Sequence, residues 1–123
     1  MGVEAAVTVT TVDEVRIVQA VGEFDPDSDE GLALALVPSA DRATGTVLDL
    51  AKVTFADSAF LHTLLAARTA HDRVGVPFVL TQLPPVVERL LTLTDVARAF
   101  DRTSDIPAAV ELIRSRGDAA DRQ

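Results

Sequence analysis

The chain has 123 residues, of which 48% are hydrophobic and 4% aromatic, and its 19 acidic and 11 basic side chains give a formal net charge of −8. This length suits one domain with an aliphatic core. The negative charge argues against binding to nucleic acid, whose phosphates need clustered Lys and Arg, and favours a protein partner with a basic face.

The sequence also lacks the marks of disulfide-bonded, secreted and membrane-spanning proteins. It has no cysteine, which excludes disulfides and thiolate metal sites. The N-terminal residues lack the basic region and the long apolar stretch of a signal peptide. No run of about eighteen apolar residues is present. We therefore expect a cytoplasmic protein that binds no membrane.

The first two predicted elements are strands. The β-branched run from Val7 to Val12 alternates as a strand does, and the run from Val15 to Val21 places alternate apolar residues on one face. Only Asp13-Glu14 separates the two runs. We therefore expect an antiparallel hairpin, although Asp-Glu is not a preferred two-residue turn.

A short helix is predicted after the hairpin. Asp27 or Ser28 is suited to cap it, and its body would extend from Gly31 to Val37. Pro38 should end this helix, because proline cannot donate the next helical hydrogen bond. The segment from Ser39 to Ala43 is expected to add one further turn.

The centre of the chain has the pattern of a strand followed by a helix. The strand is predicted from Thr46 to Leu50. The helix is predicted to open near Ser58, with its helical pattern extending from Ala59 to Arg73. Gly75 should stop this helix. Its buried stripe is predicted to contain Leu61, Leu64 and Leu65.

The C-terminal part repeats the alternation of strand and helix. A strand is predicted from Pro77 to Thr81, and a helix from Pro85 to Leu93. A short strand is expected around Phe100. The last helix should extend from Ser104 to Ser115, followed by a polar tail from Gly117.

This order of elements predicts an α/β domain with a mixed, mostly parallel sheet of four or five strands. Strands that alternate with helices pair in parallel through right-handed crossovers, which places the helices mainly on one face. The leading hairpin adds one antiparallel strand at an edge. We expect this single domain to occupy residues 1–116, with a flexible polar tail over residues 117–123.

Asp57-Ser58 lies between the central strand and its helix, where backbone N–H groups are unpaired and the helix dipole favours negative charge. Two interpretations of Ser58 are open at this point. Its hydroxyl is suited to cap the helix, and the same position is suited to carry a phosphate. Asp57 could cap the helix as well, which is compatible with either role for Ser58.

A catalytic site has weak support in the sequence. Ser58 and His62 are four residues apart and would share one helix face, which is the spacing of a nucleophile and its base. No third, orienting group is evident. His71 is too far from His62 along the chain to pair with it at a metal site. We expect no enzyme activity, no catalytic residue and no metal.

Several stretches resemble the STAS domain, and more narrowly the bacterial anti-sigma factor antagonists. The stretch from Val47 to Ser58, followed by Leu64 to Arg68, resembles the core of this domain. Gly22 to Asp25 resembles the Gly-Glu-Leu-Asp found after the second strand, and Pro85 to Leu91 resembles the third helix. The similarity extends from Val7 to Ile113 and implies a STAS-like fold.

The resemblance implies a phosphorylation-regulated switch between proteins. In that family the serine after the aspartate is phosphorylated by a partner that is both an anti-sigma factor and a serine kinase of ATPase-type fold. Unphosphorylated antagonist binds this partner and frees a sigma factor, and phosphorylation abolishes the binding. By this resemblance Ser58 is the phosphoacceptor. The implied partner-binding residues are Asp57, Ala59, Phe60, His62, Glu23, Phe24 and Asp25.

Further expectations follow from the same resemblance. ATP would belong to the partner, so no cofactor is expected on this chain. We expect a monomer or a weak homodimer that regulates transcription in a bacterial cell without itself contacting nucleic acid.

The chain also departs from the family's usual Asp-Ser-Ser-Gly-Leu-Gly pattern. Ala59 replaces the second serine, and Phe60 and His62 replace the two glycines. Asp95 stands where the family often has glycine. Phe60 is expected either as an exposed anchor for a partner or as a residue packed inward. These departures motivate an alternative function, a divergent STAS scaffold or ligand-sensing module that acts without phosphorylation at Ser58.

Overall fold

A computed structural model of the protein describes residues 4–24, 30–38 and 44–121, the last four as backbone only. These residues form five strands and four α-helices. The first two strands follow one another directly, and helices and strands alternate after them. In chain order they are β1 (Ala6–Val12), β2 (Val15–Phe24), α1 (Glu30–Ala35), β3 (Thr46–Ala56), α2 (Ser58–Val74), β4 (Phe78–Thr81), α3 (Pro85–Leu93), β5 (Asp101–Thr103) and α4 (Ile106–Asp121), with a 3-10 turn at Ala97–Ala99 before β5.

The five strands form one sheet whose spatial order, β1-β2-β3-β4-β5, follows the chain. β1 pairs with β2 antiparallel, and every later pair is parallel. Because each parallel strand is added on the same side of the previous one, right-handed crossovers place α1, α2 and α3 on one face. The predicted α/β architecture with helices mainly on one face is confirmed.

Apolar side chains form a core on each face of the sheet. The larger core includes Val18, Leu48 and Leu80 of the strands, packed beneath α1, α2 and α3. The smaller core lies on the other face, beneath α4. Its buried residues are Val15, Ile17, Val47, Val79, Ala109, Val110 and Ile113. α4 therefore closes the face that the crossover helices leave open.

The hairpin between β1 and β2 forms with the two-residue turn that the sequence disfavoured. Asp13 has a φ of 50° and Glu14 a φ of 68°, so both lie in the left-handed region. Two positive φ values are what a type I′ turn requires, and the twist of that turn matches the twist of the strands. Val12 pairs directly with Val15 across the turn. The sheet pairing thus overrides the weak turn preference of Asp-Glu.

β3 continues to Ala56, six residues past the predicted end at Leu50. The register between β2 and β3 shifts after the pair Gln19–Asp49 and again after Gly22–Val53. β4 ends at Thr81, which is paired with Asp49. The ends of β2 and β3 therefore project beyond β4 as a two-stranded ribbon that leads into α2.

α1 is shorter than predicted, because it ends at Ala35 instead of Val37. Arg16 of β2 is only 8% exposed, and its Nη2 donates to the carbonyl of Ala35 and, over 3.1 Å, to that of Val37. A guanidinium at a helix C-terminus satisfies carbonyls that lack helical partners. The predicted caps at Asp27 and Ser28 and the extra turn over residues 39–43 lie outside the described residues.

α4 is longer than predicted, because it extends to Asp121 instead of ending at Ser115. Residues 117–121 are helical, although the sequence indicated a polar tail from Gly117. One glycine inside a helix costs only about 1 kcal/mol relative to alanine, and the following Ala119-Ala120 are strong helix formers. The flexibility expected of residues 117–123 stays a prediction.

Candidate functional site

Asp57, and not Ser58, caps α2. The Asp57 backbone is extended, and its Oδ1 accepts hydrogen bonds from the N–H groups of Ala59 (3.0 Å) and Phe60 (3.3 Å). Its carbonyl accepts the first helical hydrogen bond, from the Leu61 N–H at 3.1 Å. The alternative left open by the sequence is therefore resolved in favour of an aspartate cap.

Ser58 is the first residue of α2, and its side chain is exposed. The first turn of α2 contains no acidic side chain. Because the cap is supplied by Asp57, the Ser58 hydroxyl is left for other chemistry. A helix start also favours negative charge through its unpaired N–H groups and the macrodipole. The position can therefore accept a phosphate without a need to unfold the helix.

Phe60 and Phe24 are fully buried in the larger core. Their ring centroids lie 5.5 Å apart with an interplanar angle of 50°, which is a tilted aromatic contact. Phe60 thus takes the second of its two expected positions, packed inward. Neither ring lies on the surface, so any contribution to partner binding would act through the backbone that the rings hold in place.

Glu23 and Phe55 are paired directly at the end of the β2–β3 ribbon, and both side chains are exposed. The second register shift leaves Thr54 outside the pairing, between Val53 and Phe55. A bulge of one residue turns the following side chain to the opposite face. Val53 is consequently buried, whereas Phe55 is 45% exposed. Phe55 is a candidate contact residue that the sequence interpretation missed.

His62 is exposed on α2, one helical turn beyond Ser58. It borders a largely apolar groove of about 310 Å³ between α1 and α2. The walls of this groove are Ala33, Leu36, Val37, His62, Thr63, Ala66, Ala67 and Ala70. Ala59 is half-buried beside Ser58. Ser58, Ala59 and His62 thus share the N-terminal part of one helix, and Asp25 lies outside the described residues.

His71 is remote from this surface and has a structural role. It is completely buried and stacks on Phe78, with ring centroids 4.9 Å apart. Its Nδ1 lies 2.7 Å from the Ala67 carbonyl oxygen, and its Nε2 lies 2.9 Å from Thr46 Oγ1. Burial lowers the pKa of His71, the hydrogen bond to the Ala67 carbonyl opposes this, and the Arg16 cation adds to the lowering.

Local structure explains two further polar residues. Asp49 is buried within β3, and its carboxylate accepts hydrogen bonds from Gln19 Nε2 and the Ala51 N–H, each at 3.1 Å. Asp95 has a φ of 59°, in the region that favours glycine. Aspartate tolerates this conformation better than most residues. Within the described ranges, no group of three potential ligands is placed to hold a metal ion.

Both the sequence and the fold of the chain are similar to those of known proteins. A family model described as Mlab, STAS domain, matches residues 7–106. An anti-sigma factor antagonist from Mycobacterium paratuberculosis superposes with a TM-score of 0.75 at 24% identity, covering 89% of this chain and 94% of that one. No curated protein matches the sequence.

SpoIIAA has the same fold in two chemical states. The anti-sigma factor antagonist SpoIIAA in its unphosphorylated form gives a TM-score of 0.71 at 16% identity, over 89% of this chain and 97% of that one. The Bacillus cell fate determinant SpoIIAA in the phosphorylated form gives a TM-score of 0.68 at 14% identity, over 87% of this chain and 99% of that one.

Among the described residues, none of the helices has the length and apolar character that a membrane span requires.

Proposed function

Because the chain belongs to the STAS-domain family, we propose that it acts as an anti-sigma factor antagonist. It binds an anti-sigma factor that is also a serine kinase of ATPase-type fold, and it thereby releases a sigma factor. Phosphorylation of Ser58 by this partner ends the binding. In that step the γ-phosphoryl group of ATP moves to Ser58 Oγ, and ADP and the hydroxyl proton are released.

The observation that carries the proposal is that Asp57 caps α2 whereas Ser58 does not. Asp57 accepts the N–H groups at the start of α2, so the exposed Ser58 hydroxyl has no part in capping. A phosphate would add about −1.5 to −2 charge next to Asp57. The helix start tolerates this charge, whereas a partner surface that fits a neutral hydroxyl beside a carboxylate would not. The switch thus changes the surface and preserves the fold.

This acidic protein would contact its partner through residues on both sides of its strand–helix junction. Glu23 and Phe55 present a carboxylate and an exposed aromatic ring at the end of the ribbon. His62 presents an imidazole one turn into α2. Exposed aromatic residues are frequent anchors in interfaces. We expect the complementary face of the partner to be basic at its rim and apolar at its centre.

Phosphorylation can be tested by incubating the protein with ATP and the serine kinases encoded near it, followed by intact-mass measurement. The expected result is one added phosphoryl group on the wild type and none on Ser58→Ala. Ser104→Ala is the matched control, because Ser104 is also an exposed serine just before a helix. An unmodified wild type, or equal modification of both variants, would reject Ser58 as the phosphoacceptor.

A second candidate function is supported by the residues that follow Ser58. Ala59 and His62 stand where the family carries serine and glycine, and His62 borders the apolar groove between α1 and α2. A scaffold or ligand-sensing module could use this groove without phosphorylation. The two functions differ in their response to Ser58→Asp. Loss of binding to a partner that co-purifies with the unphosphorylated protein supports the phospho-switch, and unchanged binding to that partner supports the scaffold.

A further inference from the structure

β1 is an edge strand without the features that normally prevent edge strands from pairing. Its outer side has no neighbouring strand among the described residues. Seven consecutive residue pairs join it to β2 with no register shift, so no bulge bends it away. It contains no charged residue and no proline. Natural edges are usually blunted by lysine, proline or a bulge, and an edge without these features is a template for strand addition.

The backbone groups that face outward follow from the hairpin geometry. In a two-residue hairpin the residues that flank the turn, Val12 and Val15, exchange both hydrogen bonds, and every second pair repeats this arrangement. Arg16 belongs to an intervening pair, and its N–H is donated away from β1, to the Gly45 carbonyl at 3.0 Å. Its partner Thr11 therefore directs its own N–H and C=O outward, as do Val9 and Val7.

We propose that two copies of the chain associate through β1, in antiparallel orientation about a two-fold axis at Val9. In this register Val9 faces Val9 of the second copy, and Thr11 faces Val7. Every one of these residues has both backbone groups outward, so each pair exchanges two hydrogen bonds. Thr10 then lies beside Thr8 of the second copy, which is a favourable cross-strand pair. The two sheets become one sheet of ten strands.

A second copy of this chain fits the edge because the edge is self-complementary. The same three residues supply donors and acceptors on both sides of the axis, as an isologous two-fold contact requires. Val9 is 50% exposed, and its side chain gains an apolar partner at the axis. An edge contact of this size is small beside the roughly 1,000 Å² of a stable interface. The dimer is consequently weak and depends on protein concentration.

Charge at the ends of the contact gives the dimer a characteristic salt dependence. The two-fold axis at Val9 places Glu4 opposite Glu14 of the second copy, and each chain carries a formal net charge of −8. Salt screens the repulsion between these charges. Association should therefore strengthen as ionic strength rises, which is the reverse of what an interface between opposite charges does.

The dimer leaves the candidate functional site of each copy accessible. A two-fold axis perpendicular to the sheet keeps α1, α2 and α3 of both copies on the same face. It directs the two β2–β3 ribbons, and with them the two Ser58 residues, toward opposite ends of the assembly. The association is independent of the proposed phosphorylation, because the β1 edge includes no residue of the strand–helix junction.

Sedimentation equilibrium over a concentration series, at about 0.05 M and about 0.5 M salt, tests the association. We expect a dimer fraction that rises with concentration and with salt in the wild type. Val9→Lys should abolish it, because two ammonium groups would meet at the axis. Leu93→Lys is the matched control, since it adds the same charge at a side chain that is 78% exposed and away from β1.

Val9→Pro is a second disrupting variant that retains the hairpin. Val9 donates no hydrogen bond to β2, so proline removes only the outward N–H. Amide hydrogen exchange tests the register: protection at Val7, Val9 and Thr11 should rise with concentration, whereas Thr8 and Thr10 should be protected throughout. A wild type that stays monomeric at high concentration and high salt overturns the proposal. Equal association of Val9→Lys and Leu93→Lys also overturns it.

Discussion

Phe24 and Phe60 join the last residue of β2 to the first turn of α2, with ring centroids 5.5 Å apart inside the larger core. The contact fixes the position of the helix start relative to the end of the ribbon. Ser58 of α2 and Glu23 of β2 are thereby held in a constant arrangement, together with Phe55 of β3, which is paired with Glu23. The geometry of the exposed site is thus set by two residues that are themselves inaccessible.

Phe60→Ala should destabilise the fold by about 3–5 kcal/mol, because it leaves a cavity in a fully packed core. Phe55→Ala is the matched aromatic control and should change the free energy of unfolding by only about 0.5 kcal/mol, since its ring is 45% exposed. Urea denaturation monitored by circular dichroism measures both. Similar losses in the two variants would contradict the different burial of the two rings.

Asp57→Ala should destabilise the protein by about 1 kcal/mol through the loss of the α2 cap. Ser58→Ala should have little effect, because the Ser58 side chain is not the cap. Asp57→Asn tests the same point without removing the acceptor oxygen, and its stability should stay close to that of the wild type. The free energy of unfolding in urea is the measurement. A larger loss of stability for Ser58→Ala than for Asp57→Ala would show that Ser58, and not Asp57, is the cap.

Stability should fall as the pH decreases below about 6.5, because burial lowers the pKa of His71 in the folded state from its ordinary value of 6.5. Between the two pKa values the unfolded state binds the proton and the folded state does not. The contribution is therefore complete above the unfolded pKa and is lost as the pH falls through the folded one. Its slope is at most about 1.4 kcal/mol per pH unit.

The pH dependence is measured by urea denaturation between about pH 7.5 and about pH 5. His71→Phe should flatten the slope relative to the wild type, whatever its effect on stability at neutral pH. His62→Gln, which removes the exposed histidine, serves as the control and should leave the slope in place. A wild type and a His71→Phe variant with identical slopes would exclude His71 as the source.

Gly45→Ala should destabilise the protein by about 1–3 kcal/mol through overpacking. A Cβ at Gly45 would lie 2.6 Å from Cγ2 of Ile113, a residue of α4 that is 1% exposed. Ile113→Ala removes the opposing methyl groups, so the double variant should be more stable than the sum of the two single losses predicts. A double-mutant cycle in urea measures this coupling, and strict additivity would disprove the contact.

The existence of the first three strands was predictable because their signals are local and strong. Alternation from Val7 to Val12 and from Val15 to Val21 and the apolar run from Thr46 to Leu50 each indicate one strand. The continuation of β3 to Ala56 was not predictable by the same rule. Two register shifts interrupt the alternation there, so the period-two pattern disappears although pairing with β2 persists.

The site was predictable in its location and less so in its details. The junction at Asp57-Ser58 follows from the strand and helix patterns, but either side chain is suited to a cap, so only the geometry identifies the one that serves. The burial of Phe60 was available in the sequence. Phe60, Leu64, Ala67 and His71 follow a helical period and are all buried. The exposure of Phe55 depends on the bulge and has no local signal.

The guanidinium of Arg16 has a consequence for local unfolding. α1 has only six residues, far fewer than a helix needs to be stable by itself, and Arg16 holds its last carbonyls from within the sheet. The stability of α1 therefore depends on its docking against the sheet, through Arg16 and through the buried Leu32 and Leu36. Loss of this side chain would leave the carbonyls of Ala35 and Val37 without their guanidinium donor, at the end of the α1 wall of the groove beside His62.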